Sequence, residues 1–388
     1  MAKRSIAVVT VARSDFGLYE PLLGRLRADP AVELRLLVGG SHFDPAFGPT
    51  VREIEEKGYA FEPGLALPAG ADTPAAVAAA LGAGVAAFAR AFTARRPDLL
   101  VVLGNRTEML CAPLAALPFN IPIAHLYGGK ISEGAVDELV RHALTKMSHL
   151  HFVTSAAHAR RVRQMGEEAW RVHDYGSPGL DRLHEHPRAP REETCRAFGL
   201  DPARPFLLVT FHPVTLEPGE RAAQMAALTE ALSGYDGQFL LTYPNADAGH
   251  GEIIAALEAF AARRPRDARL VKNAGARRYF DLMAAAAAMV GNSSSGIGEA
   301  PSFELPAVNV GTRQAGFERA ANVIDAPCEA GAIASAIRRA TDPAFRAGLR
   351  GLRNPYGDGH SSERIAATLR DMPLDDRLLR KKFVDLPG

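Results

Sequence analysis

The chain has 388 residues, with 45 Lys and Arg against 44 Asp and Glu, a formal net charge of +1. That balance excludes recognition of nucleic acid by bulk charge, though not a local basic pocket for a small anion. A hydrophobic fraction of 47% with 23% charged residues excludes general disorder, and the length suits two domains.

Taken in chain order, the pattern alternates strand and helix. Ser5–Ala12 is a continuous apolar run of the kind buried on both faces of a parallel sheet. A polar turn, Arg13–Gly17, precedes an amphipathic helix over Leu18–Ala28. Glu33–Gly40 reads as a strand and Val51–Lys57 as a helix. Thr73 and Pro74 open an Ala-rich helix as N-cap and first helical residue. Asp98–Gly104 is a strand, Glu108–Leu117 a helix, Ile121–Gly129 a strand, Val136–Met147 a helix and His149–Ser155 a strand. His184–Arg191 reads as a linker or exposed turn. The second half repeats the alternation: strands over Pro205–Pro213, Gln238–Pro244, Ala268–Asn273, Ala288–Gly291 and Ala307–Gly311. Helices fall over Ala222–Leu232, Ile253–Arg263, Arg278–Ala287 and Ala332–Ala340. Such alternation predicts an α/β fold with mostly parallel sheets, in two Rossmann-like domains, residues 1–178 and 179–359. Ligands then belong at strand carboxyl ends and in the cleft between domains.

The N-terminal apolar run is too short for a signal segment, and the uncharged stretch Thr73–Ala89 falls short of a membrane span. Cys111, Cys195 and Cys328 show no metal or disulfide spacing. A reduced cytoplasmic protein is expected, without membrane or nucleic-acid partner.

Several strand ends carry unusual polar residues. Gly291–Arg319 places Ser293, Ser294, Ser295 and Gly296 before an apparent helix start, with Glu299 and Arg313 beyond. Hydroxyls, backbone N–H groups and a helix dipole could hold a phosphate there, and Glu299 could bind ribose hydroxyls. A polar turn with a capping serine is the plainer alternative. Arg13 follows the first strand and could meet an anion, or form a surface pair with Asp15. Asn105 and Arg106 follow the third strand. His125–Glu138 gathers His125, Tyr127, Lys130, Glu133, Asp137 and Glu138 between a strand and a helix, a density suited to acid–base work. Asp137 and Glu138 could equally be first-turn residues matched to the helix dipole. His212 ends a strand in Thr210–Thr215, and His42 follows the second strand. Gly176–Asp181 reads as the turn that begins the second domain. P-loop, zincin, hydrolase-elbow and dinucleotide GxGxxG motifs are absent from the sequence.

These motifs, in this order, resemble the hydrolysing UDP-N-acetylglucosamine 2-epimerase family, the branch that feeds sialic and legionaminic acid synthesis. The resemblance spans about residues 5–355 and is most specific in DELVRHALTKMSHLHF and GNSSSGIGEAPSF. It implies the GT-B architecture, two Rossmann-like domains around a cleft, with a C-terminal segment, 360–388, returning to the first domain. It also implies a reaction without metal or cofactor. A base removes the C2 proton of the sugar as the bond to UDP breaks, and water adds to the resulting glycal. UDP would bind through Ser294, Ser295, Gly296 and Glu299, with Ser293, Arg313, Arg13 and His212 close by. Asp137, Glu138, His212, Asn105, Tyr127 and Lys130 fall at catalytic positions, and Arg106, His125 and His42 at substrate positions. Relatives of this kind are commonly dimers or tetramers.

The chain departs from the family where the chemistry lies. Asn105 stands where many members carry Asp, Tyr127 where Glu or His is usual, and Lys130 where Glu is usual. Asn cannot accept a proton at neutral pH. Three readings follow: a 2-epimerase relying on the remaining groups; a nucleotide-sugar hydrolase or transferase without C2 inversion, with Lys130 favouring an anionic substrate or acceptor; or an inactive nucleotide-sugar-binding protein.

Overall fold

In a computed structural model of the protein, the described residues are 3–43, 50–62, 73–131, 136–185, 187–214, 217, 219–244, 249–272 and 274–385. They form two compact units. The first runs to Arg182 and resumes at Tyr356; the second is Leu183–Pro355.

The first unit contains β1 (Arg4–Thr10), α1 (Arg13–Ala28), β2 (Val32–Val38), α2 (Val51–Glu56), β3 (Phe61–Glu62), α3 (Pro74–Ala94), β4 (Leu99–Leu103), α4 (Cys111–Ala116), β5 (Ile123–Leu126), α5 (Val136–Met147), β6 (Leu150–Val153), α6 (Ala156–Gln164) and β7 (Val172–Asp174). Its strands pair in parallel in the order β3-β2-β1-β4-β5-β6-β7. β1 explains why the first apolar run is unbroken. Ile6 and Val8 enter the core on one face, and Ala7 and Val9 the core on the other. Each such Ile or Val stabilises by about 1.5–3 kcal/mol when fully buried.

The second unit contains α7 (Arg191–Ala197), β8 (Phe206–Thr210), α8 (Arg221–Ser233), β9 (Gln238–Thr242), α9 (His250–Arg263), β10 (Ala268–Val271), α10 (Ala276–Ala285), β11 (Ala288–Gly291), α11 (Ser295–Gly298), β12 (Ala307–Val310), β13 (Val323–Ala326), α12 (Ala330–Thr341) and α13 (Pro343–Ala347). The order is β10-β9-β8-β11-β12-β13, again parallel throughout. In both sheets the strand order reverses beside the first strand of the unit, between β1 and β4 and between β8 and β11. That reversal is where doubly wound sheets open a crevice for ligands.

Some local expectations change. The polar stretch Arg13–Gly17 is the first turn of α1, not a loop, and α1 continues through Pro21. Pro21 has no N–H for the Gly17 carbonyl, and Arg182 donates to that carbonyl instead, at 2.7 Å. The helix expected over Glu108–Leu117 begins as a 3-10 turn, Thr107–Leu110, before α4. α6, β7 and β13 escape the periodicity reading because they are short or lie at a sheet edge.

Thr73 caps α3 as expected, accepting from the Ala76 amide. However, α3 extends to Ala94, so its 21 residues are long and apolar enough to cross a membrane by length and composition. In this unit its Phe88 and Phe92 instead fill the core against β1 and β4.

The returning C-terminal segment supplies α14 (Ser361–Asp371) and α15 (Asp376–Leu379). Ile365 and Leu369 join the core that holds Leu22 and Leu26 of α1. The carboxylate of Asp181 accepts from the Ser361 and Ser362 amides at 2.9 and 2.5 Å. The turn Gly176–Asp181 thus belongs to the first unit and caps α14.

Gly291 ends β11 with φ +136°, and a Cβ there would stand 1.9 Å from the Thr210 carbonyl oxygen. Gly291→Ala should destabilise the second unit by about 2–3 kcal/mol or more, since the clash is with backbone. Urea unfolding of the variant, followed by far-UV circular dichroism, measures this; an unchanged midpoint would refute the close approach.

Candidate active site

In the first unit, polar side chains gather at the carboxyl ends of β1, β4 and β5. Asn105 follows β4 and donates from Nδ2 to Oδ2 of Asp137, in the first turn of α5. Glu138 is held from its own helix: Arg141 donates at 3.0 Å, and His142 Nε2 lies 2.9 Å away. Arg141 also donates to the Lys130 carbonyl at 3.1 Å, tying α5 to the segment after β5. The two acids are therefore first-turn residues, as the dipole alternative has it, and are also held by side chains from outside that turn.

Tyr127 follows β5 with φ +67°, a left-handed conformation that costs a non-glycine residue energy. Its N–H donates to the Phe152 carbonyl at 3.0 Å, and its hydroxyl lies 2.7 Å from Ser177 Oγ. The Lys130 ammonium sits over the Tyr127 ring, 4.6 Å from its centroid. Gly129 adopts φ +76° against the His158 carbonyl, where a Cβ would approach to 2.4 Å. Arg161 donates to the Gly129 carbonyl at 3.1 Å. Glu133 lies outside the described residues.

Asp15 is the site residue that the sequence did not single out. It is buried in the first turn of α1, and burial raises its carboxyl to about 6. Arg106 Nε, 3.6 Å away, opposes that shift, and the Val11 N–H donates to Oδ2 at 3.3 Å. The surface pair Arg13–Asp15 does not form. Arg13 points outward, with 69% of its side chain exposed, and pairs with Glu53 of α2 at 3.0 Å. Helical geometry explains this, because residues two apart lie on different faces.

The two histidines read as substrate ligands, His42 and His125, are buried and held by hydrogen bonds within the unit. His42 Nε2 lies 2.9 Å from Thr10 Oγ1 and Nδ1 3.0 Å from Thr50 Oγ1. His125 Nε2 lies 3.1 Å from the Gly104 carbonyl and Nδ1 3.3 Å from Thr145 Oγ1. Burial lowers them to about 4 and about 3, so both are neutral at pH 7. Both ring nitrogens of each histidine are thus engaged inside the unit.

In the second unit the centre is Asn292. Its Oδ1 accepts from the His212 N–H at 2.6 Å and its Nδ2 donates to the His212 carbonyl at 2.8 Å. Its own carbonyl accepts from Arg313 at 3.3 Å and Gln314 at 2.9 Å. One residue thus ties together the ends of β8, β11 and β12. Burial, reinforced by Arg313, lowers His212 to about 4, so at neutral pH it exchanges hydrogen bonds as a neutral ring.

The serine loop departs from expectation in one respect. α11 has only four residues, so no extended helix dipole points at it. The amides of Ser295, Gly296, Ile297 and Gly298 are bonded within the loop, to Ser293 Oγ and to the Ser293 and Ser294 carbonyls. Tyr279 of α10, unmarked by the sequence because an aromatic on an amphipathic helix reads as core, has its hydroxyl pushed up by burial, with Thr210, Ser293 and Ser295 near enough to oppose that shift. Glu299 is near enough to act electrostatically on the same hydroxyl. Thr215 lies outside the described residues.

Two doubly wound parallel sheets, each with polar groups at its reversal point, define an α/β protein of the GT-B kind. The chain belongs to the UDP-N-acetylglucosamine 2-epimerase family, whose sequence pattern it matches over residues 24–370. It is 36% identical to the hydrolysing UDP-N,N′-diacetylbacillosamine 2-epimerase of Legionella pneumophila, covering 97% of this chain and 98% of that one. It is 32% identical to the hydrolysing GDP/UDP-N,N′-diacetylbacillosamine 2-epimerase of Campylobacter jejuni, over the whole of both chains. The fold is similar to that of the UDP-GlcNAc 2-epimerase of Neisseria meningitidis bound to UDP-GlcNAc, with a TM-score of 0.74 at 16% identity, covering 94% and 99% of the two chains.

The raised carboxyl of Asp15 gives a stability signature. Folded Asp15 keeps its proton to about pH 6, whereas an unfolded Asp loses it near 3.8. Between those values the folded state holds more protons, so this group lowers stability as pH rises, by about 2–3 kcal/mol in full. Asp15→Asn should leave stability unchanged near pH 3.5 and raise it by about 1–2 kcal/mol at pH 7.5. Urea unfolding at the two pH values checks this; a destabilised variant at pH 7.5 would show that the Arg106 pairing outweighs burial.

Proposed function

We propose that the protein is a hydrolysing 2-epimerase of a UDP-linked N-acetylated amino sugar. The observation that carries this reading is the Asn105 amide bonded to the Asp137 carboxylate at the head of α5. Asn105 cannot serve as a base, but as a donor it orients the carboxylate that can. Asp137 takes the C2 proton while the C1–O bond to UDP breaks and a C1–C2 double bond forms. Water then adds its hydroxyl to C1, and a proton enters C2 from the opposite face. The products are UDP and the free 2-epimer. Glu138, fixed by Arg141 and His142, is the second acid of the site.

The second unit would carry the nucleotide. Ser293, Ser294, Ser295, Gly296 and Arg313 suit the diphosphate, neutral His212 donates to it, and Glu299 takes the ribose. The first unit would carry the sugar chemistry. Similarity to two diacetylbacillosamine enzymes favours a 2,4-diacetamido sugar over N-acetylglucosamine. The route draws on no metal or cofactor. Three free cysteines suit the reducing cytoplasm.

A second reading has one observation in its favour. Lys130 over the Tyr127 ring is a cation beside the sugar chemistry and would attract an anionic substrate or acceptor. That reading gives UDP release without exchange at C2.

We also infer self-association through α3, α4 and α5. These helices share one core yet leave Val77 of α3, Leu114 of α4 and Leu117 just beyond it exposed, and Leu139 of α5 at 73%. Leu114→Glu should lower the sedimentation coefficient to that of a 41.4 kDa monomer, whereas wild type sediments as a larger species; a monomeric wild type would refute this.

The activity test uses deuterated water. UDP-N,N′-diacetylbacillosamine and UDP-N-acetylglucosamine are supplied separately and products followed by NMR. Deuterium at C2 of the released 2-epimer is expected, with the diacetylated sugar turned over faster. Asp137→Asn should lower kcat at least 100-fold with KM little changed. UDP release without deuterium would move the assignment to the second reading, and UDP binding without turnover to a nucleotide-sugar-binding protein.

A further inference from the structure

The chemistry above leaves Asp15 without a task, yet its charge is kept where burial works against it. Asp15 stands in the first turn of α1, at the carboxyl end of β1, and only 4% of it is exposed. Its hydrogen bonds are few and long. The Val11 N–H donates to Oδ2 at 3.3 Å and the Ser14 hydroxyl to Oδ1 at 3.4 Å. Tyr19, one turn on, ends in a buried hydroxyl with no hydrogen-bond partner, so it adds no donor. A neutral Asn could accept from the same backbone amide, so the start of α1 does not require the charge.

Among the described residues, the cation paired with Asp15 is Arg106, with Nε 3.6 Å from Oδ1. Nη2 of the same guanidinium lies 3.5 Å from Ser14 Oγ, and Nη1 has no hydrogen bond among the described residues. The Arg106 side chain is 44% exposed. It follows Asn105, whose amide holds the Asp137 carboxylate. β1 and β4 are the neighbouring strands beside which the sheet order reverses. The pair therefore joins the two strand ends that flank the crevice, one charge buried under α1 and the other half open to solvent.

The other ionisable groups nearby supply no second cation. Glu108 is near enough to work against ionisation of Asp15. His42, which feels Arg106, is lowered to about 4 and neutral at pH 7. Tyr19 is a buried phenol raised above its ordinary range. A guanidinium tethered at Nε has less freedom to lose when its outer N–H groups meet a ligand.

We propose that Asp15 is a positioning residue for the reaction: its carboxylate holds the Arg106 guanidinium across the ends of β1 and β4, so that the outer N–H groups of Arg106 meet the oxygen that leaves C1 of the sugar. Negative charge grows on that oxygen as the C1–O bond breaks, and a guanidinium held in place stabilises it without giving up a proton. This rests on the bond cleavage assigned above to the first unit. Folded Asp15 ionises at about pH 6, so the pair is charged above that value and lost below it.

The test measures UDP release and C2 deuteration together, with UDP-N,N′-diacetylbacillosamine from pH 5 to 8. Wild type, Asp15→Asn, Arg106→Lys and the double variant are compared. Asp15→Asn should lower kcat for UDP release at least about tenfold at pH 7.5, with KM within about twofold. It should also lose the fall in kcat that wild type shows below about pH 6. The double variant should be no more than about twofold slower than Arg106→Lys alone, because the carboxylate acts through Arg106. A urea midpoint for Asp15→Asn that does not fall at pH 7.5 separates this loss from unfolding; Asp15→Ser serves if that variant does not fold. Wild-type kcat in Asp15→Asn, a surviving acid limb, a rise in KM alone or additive losses would each overturn the proposal. UDP release without deuterium at C2, with the Asp15→Asn contrast intact, would instead overturn the 2-epimerase reading and leave Asp15 its role.

Discussion

Asn292 is the residue whose hydrogen bonds hold the strand ends of the second unit together. A side-chain amide that both accepts from and donates to the backbone of His212 acts as a strand residue supplied from a loop. It can do so only because Gly291 lets β11 approach the Thr210 carbonyl more closely than any Cβ permits. With its carbonyl also bonded by Arg313 and Gln314, Asn292 sets histidine, serines and arginine in one frame. The Arg313 guanidinium and the Gln314 amide are thereby fixed against the end of β11.

The first unit solves a different problem, holding acids where the family pattern has lost some. Asp137 and Glu138 share a helical turn, yet each has its own partners: Asn105 for one, Arg141 and His142 for the other. A neutral amide at Asn105 avoids a second negative charge beside Asp137 and fixes one oxygen. Tyr127 adds strain rather than charge. Its left-handed backbone and its bond to Ser177 persist because β6 and the following glycines leave that segment little choice. Beneath these groups, His42 and His125 are neutral struts. Their burial removes them from acid–base work and makes them useful as two-sided hydrogen-bond fasteners.

The parts of the site that were legible in the sequence are those whose position follows from strand ends. Asn105, Tyr127, His212 and the serines sit directly after apolar runs, and Asp137 after a glycine-rich segment before a periodic helix. The parts that were not legible depend on which way a side chain turns. Arg13 and Asp15 are two residues apart, yet one reaches Glu53 in solvent and the other is buried beside Arg106. Asp181 sits in a turn that looked like a domain start, and its partners, Ser361 and Ser362, lie about 180 residues on. Tyr279 reads as core and yet lies near Thr210 and the serine loop after β11.

The sequence by itself determined the α/β class, the strand ends that matter and the family, because buried parallel strands write continuous apolar runs and the site motifs are local. It also determined that Asn105 is no base, which is a property of the side chain alone. Tertiary structure decided which groups meet. Asn105 and Asp137 are 32 residues apart and meet because β4 and β5 are neighbours in the sheet, whereas His212 and Asn292 are 80 apart and meet only because the strand order reverses between β8 and β11. It also decided protonation, since burial and not residue type raises Asp15 and leaves His212 neutral. The net charge of +1 never contained that information, because it sums over charges whose effects depend on where each is placed.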